Sequence, residues 1–141
     1  MGTSLDSNIM GVHHLGIAVQ NIAKEAEMYC GLMGFKAETE ILREPPQKVD
    51  VQFFILNGFR IELIQAISED SPILGFIKKG GILNHICYES SNIEATVKNL
   101  KKNKGLFQTV DIIKASTLDD CYYTFFAKPT GDVIEIIFFD K

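Results

Sequence analysis

Apolar and polar positions in the first part of the chain predict a strand, a helix and a second strand. The segment from Val12 to Val19 is rich in residues that favour β-structure and predicts a strand. Asn21 is a suitable helix N-cap, and apolar residues then recur at helical spacing until Gly34: Ile22, Ala26, Tyr29, Leu32 and Met33. A second strand is predicted from Phe35 to Arg43.

Pro45 and Pro46 interrupt this pattern, because proline cannot donate to a β-ladder. Strands are then predicted at 49–56 and 60–65, joined by the Asn57-Gly58 turn, which is typical of tight hairpins. The second half has the same order of elements: strand 83–89, helix 92–103, strands 108–114 and 122–127, a turn at 129–131 and strand 133–139. Each half is therefore predicted to be a βαβββ unit.

Matched residues indicate that the two halves are a tandem repeat. His14 matches His85 at an offset of 71 residues (85 minus 14), and Glu62 matches Glu135 at an offset of 73 residues (135 minus 62). Further residues match in the histidine frame: Asn21-Ile22 with Asn92-Ile93. Single matches of this kind are common, but two in the same order at nearly the same offset favour a duplication.

The length of 141 residues and the repeat together predict one domain of two modules. We expect a flexible N-terminus over residues 1–9 and a single domain over 10–141. Module one is assigned to 10–68, a linker to 69–81 and module two to 82–141. Ser71-Pro72 and Gly80-Gly81 predict that the linker forms a short helix with a glycine exit.

Composition and charge argue against several classes of protein. Hydrophobic residues make up 46% of the chain, which is enough for a core, and the net charge of −4 disfavours binding to nucleic acid. The basic segment 98–104 lies at a predicted helix end, where cations complement the helix dipole. The three cysteines form no Cys-x-x-Cys pair, and we identify no signal peptide and no apolar run of membrane-spanning length. We therefore expect a soluble, cytoplasmic protein.

The residues at matched repeat positions are candidate metal ligands: His14, Glu62, His85 and Glu135. A lone glutamate in an apolar strand usually faces solvent, because burying an unpaired carboxylate is costly. Two glutamates at equivalent positions, each with a histidine on a first strand, instead favour convergence on one central cleft. Two imidazoles and two carboxylates suit a borderline divalent metal ion, such as Co, Ni, Mn, Fe or Zn.

Two neighbours of these candidates are interpreted differently. His13 is adjacent to His14 on a predicted strand, so the two side chains should point to opposite faces. We interpret His13 as a surface residue or as a support behind the ligands. Cys87 lies two residues from His85 and should share its face, so we expect Cys87 to line the cleft.

Several segments between about Met10 and Asp140 carry a family resemblance: 13–19, 29–35, 70–81 and 128–135. They resemble the vicinal-oxygen-chelate superfamily, which includes glyoxalase I, methylmalonyl-CoA epimerase, extradiol dioxygenases and bleomycin-resistance proteins. The entry strand, His13-His14-Leu15-Gly16-Ile17-Ala18-Val19, and the linker are most similar to those of the epimerases.

The resemblance implies an α+β fold in which two tandem βαβββ modules form an open, U-shaped mixed sheet around a central metal cleft, the glyoxalase-like fold. It implies that His14, Glu62, His85 and Glu135 occupy the family's ligand positions and bind one divalent metal ion. It further implies an epimerase or isomerase that removes the proton α to the carbonyl of an acyl thioester. Glu135 is the first candidate for the base and Glu62 the second. A homodimer is also expected.

Departures from the family pattern leave alternatives open. Segments 45–48 and 115–121 lack the glycines that many epimerases carry there, so the acyl group and its thiol carrier (CoA, a carrier protein or glutathione) are open. Asp50 is either an assisting acid or a surface residue. A lactoylglutathione lyase of the glyoxalase I type shares the ligand set, whereas the extra Glu62 disfavours a dioxygenase. A non-catalytic, resistance-type protein that binds a small molecule is the alternative from another class.

Overall fold

The computed structural model describes residues 7–78 and 83–141. The first half contains β1 (Ile9–Ala18), α1 (Ile22–Gly31), β2 (Lys36–Ala37), β3 (Leu42–Glu44), a 3-10 turn (Pro45–Gln47), β4 (Val49–Leu56) and β5 (Phe59–Ala66). A short helix, α2 (Pro72–Lys78), precedes the second half. The second half contains β6 (Leu83–Ser90), α3 (Ile93–Leu100), β7 (Phe107–Lys114), β8 (Cys121–Ala127) and β9 (Val133–Phe139).

The nine strands of the described residues form one mixed sheet in the order β2-β4-β5-β1-β6-β9-β8-β7, with β3 paired to β4. β1 pairs with β5 in parallel and β6 pairs with β9 in parallel, while β1 and β6 meet antiparallel at the centre. The two halves are therefore equivalent about the β1–β6 seam. The predicted sheet of two βαβββ modules is confirmed.

Both long helices begin at the asparagines that the sequence predicted as caps. The side chains of Asn21 and Asn92 each accept a hydrogen bond from the backbone N–H three residues further on, at 3.0 and 3.1 Å. Beyond the caps, α1 packs Ile22 on one half of the sheet, and α3 packs Ile93 and Val97 on the other half. Each module thus has its own core between a helix and its strands.

Alternation along β5 and β9 sends the two predicted glutamates away from these helix cores. The residues on either side of each glutamate pack under a helix: Ile61 and Leu63 in β5, Ile134 and Ile136 in β9. Successive side chains of a strand point to opposite faces, so Glu62 and Glu135 face the cavity on the other side of the sheet. They are 9% and 8% exposed, which excludes the solvent-facing alternative for both.

The two helices end earlier than predicted. α1 ends at Gly31 rather than Gly34, because the N–H groups of Leu32 and Met33 both donate to the carbonyl of Met28. The chain then turns away through Gly34, whose φ is +85°. α3 similarly ends at residue 100 rather than at residue 103.

The predicted strand 35–43 is wrong as a single element, since the structure divides it into β2 and β3. Thr39 lies between them, and its Oγ1 accepts a hydrogen bond from Phe53 N (3.2 Å) and donates one to Glu40 O (2.8 Å). Bonds from a threonine side chain to the backbone compete with the regular ladder. The interruption places Glu44 at the end of β3, where it enters the cavity described below.

The ends of the predicted segments differ in how much of them the structure describes. Residues 1–6 and the Gly80-Gly81 exit lie outside the described residues. Within the predicted N-terminal segment 1–9, β1 already begins at Ile9, and the carbonyl of Asn8 accepts a hydrogen bond from Ser91 N at 2.8 Å. Among the helices that the structure describes, none is long and apolar enough to cross a membrane.

Candidate metal centre and cleft

The four predicted ligands lie on four adjacent strands at the seam between the modules. They are Glu62 on β5, His14 on β1, His85 on β6 and Glu135 on β9. The strand register aligns them, because Gly16 of β1 pairs with both Glu62 and His85, and Cys87 of β6 pairs with both His14 and Glu135. The repeat therefore becomes a spatial arrangement with one histidine and one glutamate from each module.

Each of these side chains brings one donor atom to a common point. His14 Nε2 is 3.1 Å from His85 Nε2 and 3.2 Å from Oε1 of both glutamates. His85 Nε2 is 3.4 Å from Glu62 Oε1 and 3.0 Å from Glu135 Oε1. All four residues are buried, so the structure brings together the complete set that the sequence singled out.

Burial and mutual contact shift the pKa values of these groups in opposite directions. Burial by itself lowers the pKa of His85, but contact with Glu135 and Glu62 and their negative charge outweigh it and raise that pKa to about 10. The same two carboxylates raise the pKa of His14 against the effect of burial. Burial favours a higher pKa for Glu62 and Glu135, but the two histidines outweigh it and hold both pKa values below the usual range.

This donor set fits a divalent metal ion. Oε1 of Glu135 is buried and 3.0 Å from His85 Nε2, yet it makes no hydrogen bond of suitable direction. A buried carboxylate oxygen without a partner is costly, and a cation would satisfy it. Donor atoms bound to one ion at about 2.0–2.1 Å lie about 3.0–3.4 Å apart in octahedral or tetrahedral geometry. The donor-to-donor distances above fall in that range.

Gly16 makes room for one of the imidazoles. A β-carbon at this position would lie 2.2 Å from Cε1 of His85, so any larger residue would displace the ring. The repeat partner of Gly16 is Cys87, so the two modules differ at this point. A glycine in the middle of a strand often marks a close approach, and this signal could have identified Gly16 from the sequence.

His13 does not point to the face opposite His14. The register of β1 against β6 shifts between Val12 and His14, and this irregularity breaks the alternation of side chains. The Nδ1 atoms of His13 and His14 are consequently 2.8 Å apart. Burial, followed by the charges of His14 and Arg60, lowers the pKa of His13 to about 4. His13 is half-buried, so its interpretation as a surface residue is wrong and the alternative, a support behind the ligands, fits its contacts.

Cys87 does not line the cleft, contrary to the prediction. It is fully buried in a small core with Cys121 and Ile137, and Cys121 rather than Cys87 contributes to the cavity wall. Burial, followed by the charge of Glu135, raises the pKa of both thiols. Both thiols are therefore protonated near neutral pH.

A cavity of about 430 Å³ includes the four candidate ligands in its lining. Most of its other walls are apolar, with residues that include Val51, Ile64, Ile73, Phe76, Leu118 and Phe125. This volume and apolar character are typical of a small-molecule site. Asp50, considered above as an assisting acid, is instead paired with Arg43 at 2.9 Å and is not part of the cavity lining.

Glu44 is a buried carboxylate of the cavity that sequence reasoning missed. Its side chain joins the modules: Oε1 accepts hydrogen bonds from Ser116 N (2.8 Å) and Thr117 N (3.0 Å), and Oε2 accepts one from the Tyr123 hydroxyl (2.9 Å). Burial, followed by the charge of Glu44, raises the pKa of Tyr123 and keeps the phenol protonated. The repeat frame pairs Glu44 with no carboxylate in module two, and its position before Pro45 was the only signal available.

Comparisons with known proteins agree with this architecture. The family model described as Glyoxalase/Bleomycin resistance protein/Dioxygenase superfamily matches residues 13–125. Human mitochondrial methylmalonyl-CoA epimerase is 37% identical over 99 residues, which cover 69% of this chain and 56% of that protein. The ethylmalonyl-CoA/methylmalonyl-CoA epimerase of Cereibacter sphaeroides is 36% identical over 93 residues, which cover 64% of this chain and 69% of the relative. The chain thus spans little more than half of the human protein.

The fold is shared with solved structures. The crystal structure of methylmalonyl-CoA epimerase from Mycobacterium tuberculosis matches with a TM-score of 0.85 and 19% identity, over 99% of this chain and 94% of that chain. This likeness confirms the predicted glyoxalase-like fold. Since the family model covers most of the chain, this protein belongs to the glyoxalase/bleomycin resistance protein/dioxygenase superfamily, as its motifs predicted.

Proposed function

We propose that the chain is a divalent-metal-dependent epimerase or isomerase that removes the proton α to the carbonyl of an acyl thioester, in the manner of a methylmalonyl-CoA epimerase. One observation carries the proposal, the convergence of two buried histidines and two buried glutamates in the wall of an apolar cavity. The names of both relatives describe epimerases of acyl-CoA compounds, which supports an enzyme of this reaction class.

His14, Glu62, His85 and Glu135 would hold one divalent ion. The mixture of imidazole and carboxylate donors suits Co, Ni, Mn, Zn or Fe. When bound, such an ion supplies positive charge that stabilises the enolate oxygen formed as the α proton leaves. The apolar walls around the four ligands exclude water, and this strengthens electrostatic interactions in the site.

Glu135 is the first candidate for the base, and Glu62 is the second. Oε1 of Glu135 is buried without a hydrogen-bond partner, so it is free to accept a proton from a substrate in the cavity. The neighbouring histidines hold the pKa of both glutamates below the usual range, which keeps both carboxylates ionised.

Epimerisation also needs a group on a second face of the substrate, because a proton must leave one side of the α carbon and return to the other. Glu44 lines the cavity on β3, outside the ligand cluster, and Tyr123 donates a hydrogen bond to it. We therefore add Glu44, with Tyr123 as its partner, as the acid–base group for the second face.

The substrate class follows from the size and chemistry of the cavity. About 430 Å³ is room for the acyl end of a thioester, and a carrier as large as CoA would extend beyond the mouth. No lysine or arginine from residues 7–78 and 83–141 lines the cavity, so the acyl group would be oriented by the metal centre and by apolar contacts.

The expected homodimer and the expected cytoplasmic location remain predictions. Large apolar side chains exposed on β1 and β6 support a dimer: Met10 (66% exposed), Val12 (57%) and Leu83 (52%). The molar mass in solution, measured by light scattering, tests it. About 15.8 kDa would correspond to a monomer and would contradict the dimer.

Exchange of the α proton with deuterated water tests the proposed reaction. The Co²⁺-loaded protein is incubated with methylmalonyl-CoA or ethylmalonyl-CoA, and NMR follows the loss of the α-proton signal. Exchange is expected with the unaltered protein and should be lost in Glu135→Gln. Asp50→Asn is the matched control, since Asp50 is a carboxylate outside the cavity, and its exchange should be unchanged.

Other outcomes of the same assay favour the alternatives. Turnover of the glutathione hemithioacetal of methylglyoxal, without exchange of an acyl-CoA, would favour a lactoylglutathione lyase. Tight binding of a small molecule without turnover and without metal would favour a resistance-type binding protein.

A further inference from the structure

The residue immediately before each candidate histidine ligand occupies the same place in the repeat. His13 precedes His14 and Asn84 precedes His85, and the offset of 71 residues (84 minus 13) is that of the histidines themselves. Neither His13 nor Asn84 takes part in the reaction proposed above. Both side chains nevertheless contact the metal centre from behind.

Each of these residues contacts the outer ring nitrogen of the histidine that follows it. His85 Nδ1 is 2.8 Å from Asn84 Oδ1, and His14 Nδ1 is 2.8 Å from His13 Nδ1. In both histidines the other ring nitrogen, Nε2, faces the shared centre, where the two Nε2 atoms are 3.1 Å apart. Two chemically different side chains thus make the same contact at equivalent positions.

The chemistry of Asn84 sets the direction of its hydrogen bond. An amide oxygen can only accept, so His85 Nδ1 must donate. A neutral imidazole with its proton on Nδ1 has a lone pair on Nε2, which is the form that binds a metal ion. The equivalent direction in module one has His14 Nδ1 donating to the lone pair of His13 Nδ1. The proton of the His13 ring is then on Nε2.

We propose that His13 and Asn84 are a matched pair of positioning residues, which hold His14 and His85 as Nδ1–H tautomers with Nε2 directed at the metal centre. The inference rests on the metal site of the proposed function. It assigns the same task to a histidine in one module and an asparagine in the other.

The backbone around His13 is arranged to make this contact. A regular strand would send the His13 ring to the far face, and the register shift between Val12 and His14 prevents this. Arg60 Nη1 donates a hydrogen bond to the carbonyl of His13 at 3.1 Å. Glu38 in turn holds the guanidinium of Arg60 with two hydrogen bonds, at 2.6 and 3.2 Å. The irregular backbone is therefore provided with a partner.

A second metal ion is the competing explanation for His13. One donor atom from each of His13, His14 and Cys87 lies within 4.8 Å of the others. An ion there, together with one at the main centre, would require His14 to bind through both ring nitrogens and to lose both of its protons. It would also require a buried thiolate at Cys87, although burial disfavours the charged form. The metal content per chain distinguishes the two explanations.

Variants that keep or remove the hydrogen-bond acceptor test the pair. His13→Asn keeps an acceptor near the position of Nδ1 and makes module one resemble module two, whereas His13→Leu removes the acceptor. Asn84→Asp and Asn84→Leu make the same comparison in module two. Co²⁺ affinity is measured by competition with a chelator, and thermal unfolding of the metal-free variants is measured alongside. Both leucine variants should bind Co²⁺ about 10–100-fold more weakly, and the acceptor-keeping variants should stay within a few-fold of the unaltered protein.

The tautomers can be read directly, because the chain has three histidines. In the Zn²⁺-loaded protein, long-range ¹H–¹⁵N NMR should show protons on Nδ1 of His14 and His85 and on Nε2 of His13. A proton on Nδ1 of His13 would overturn the inference, as would equal losses of affinity in His13→Asn and His13→Leu, no loss in either leucine variant, or two ions per chain. Each of these results leaves the four-ligand site intact. Failure of the unaltered protein to take up any metal would overturn the proposed function as well.

Discussion

The two modules are alike where they supply candidate ligands and differ where they enclose the cavity. At the seam, each contributes a histidine from its first strand and a glutamate from its last. At the outer wall, module one ends β3 with Glu44 and a 3-10 turn, whereas module two has the continuous strand β7 and a loop whose N–H groups bind Glu44. Symmetry therefore accounts for the metal centre, and the departures from symmetry account for the second carboxylate of the cavity.

Removing either histidine is expected to have the largest effect at the symmetric seam. His14→Ala and His85→Ala should each abolish metal binding and slow α-proton exchange by roughly 10³-fold or more, because a metal ion contributes several kcal/mol to the stabilisation of developing charge. Elemental analysis and the exchange assay measure both effects. Full metal content in one variant, with loss only in the other, would contradict equal contributions from the modules.

The asymmetric wall is tested by Glu44→Gln, which keeps the shape of the side chain but cannot transfer a proton. We expect epimerisation to slow by about 10²–10⁴-fold while the metal content is unchanged. Tyr123→Phe removes only the hydrogen bond to Glu44 and should have a smaller effect. Loss of the metal from Glu44→Gln would show that the wall and the ligand cluster are not separate.

Gly16→Ala changes a point at which the modules already differ. The new methyl group would meet the imidazole of His85, and the overpacking should destabilise the fold by about 1–3 kcal/mol. Metal affinity should fall because the ring is displaced. Gly31→Ala is the control, since a β-carbon at Gly31 has no neighbour within 4 Å, and its effect on stability should stay within about 1 kcal/mol. Thermal unfolding of both variants makes the comparison, and equal melting temperatures would contradict it.

The smallest expected effect is the pH dependence of the metal-free protein. The pKa of His85 is raised from 6.5 to about 10, so its protonation stabilises the fold fully below pH 6.5, and this contribution is lost as the pH rises through about 10. The pKa values of Glu62 and Glu135 are lowered from 4.5, so their contribution is present above pH 4.5 and is lost at lower pH.

The metal-free protein should accordingly be most stable between about pH 4.5 and 6.5. Metal affinity should have the opposite trend and rise with pH, because the ion displaces the protons that the cluster holds. Thermal unfolding at a series of pH values in the presence of a chelator measures the first effect. A melting temperature that does not change from pH 6.5 to 10 would contradict it.

The sequence was sufficient for the features that repeat. Strand and helix periods predicted the order of the elements, and the offset between the halves selected His14 and His85 from three histidines. Glu44 could not be found in this way, because its partners at residues 116 and 117 lie 72 and 73 residues away and donate through backbone N–H groups, which any residue except proline offers.

Local irregularities also escaped prediction. The direction of the His13 side chain depends on a register shift of β1 against β6, whereas alternation rules assume a regular strand. The division of the predicted strand 35–43 depends on Thr39, whose hydroxyl bonds to the backbone in place of a ladder. Both features are set by contacts with neighbouring strands rather than by the local pattern.

Metal content tests the central claim most directly. Elemental analysis of the purified protein, supplied with Co, Ni, Mn or Zn, is compared with that of Glu62→Ala and Glu135→Ala. The proposed site predicts about one divalent ion per chain in the unaltered protein and loss of that ion in both variants, since each module contributes one carboxylate. An unaltered protein that takes up none of these metals would contradict the four-ligand centre.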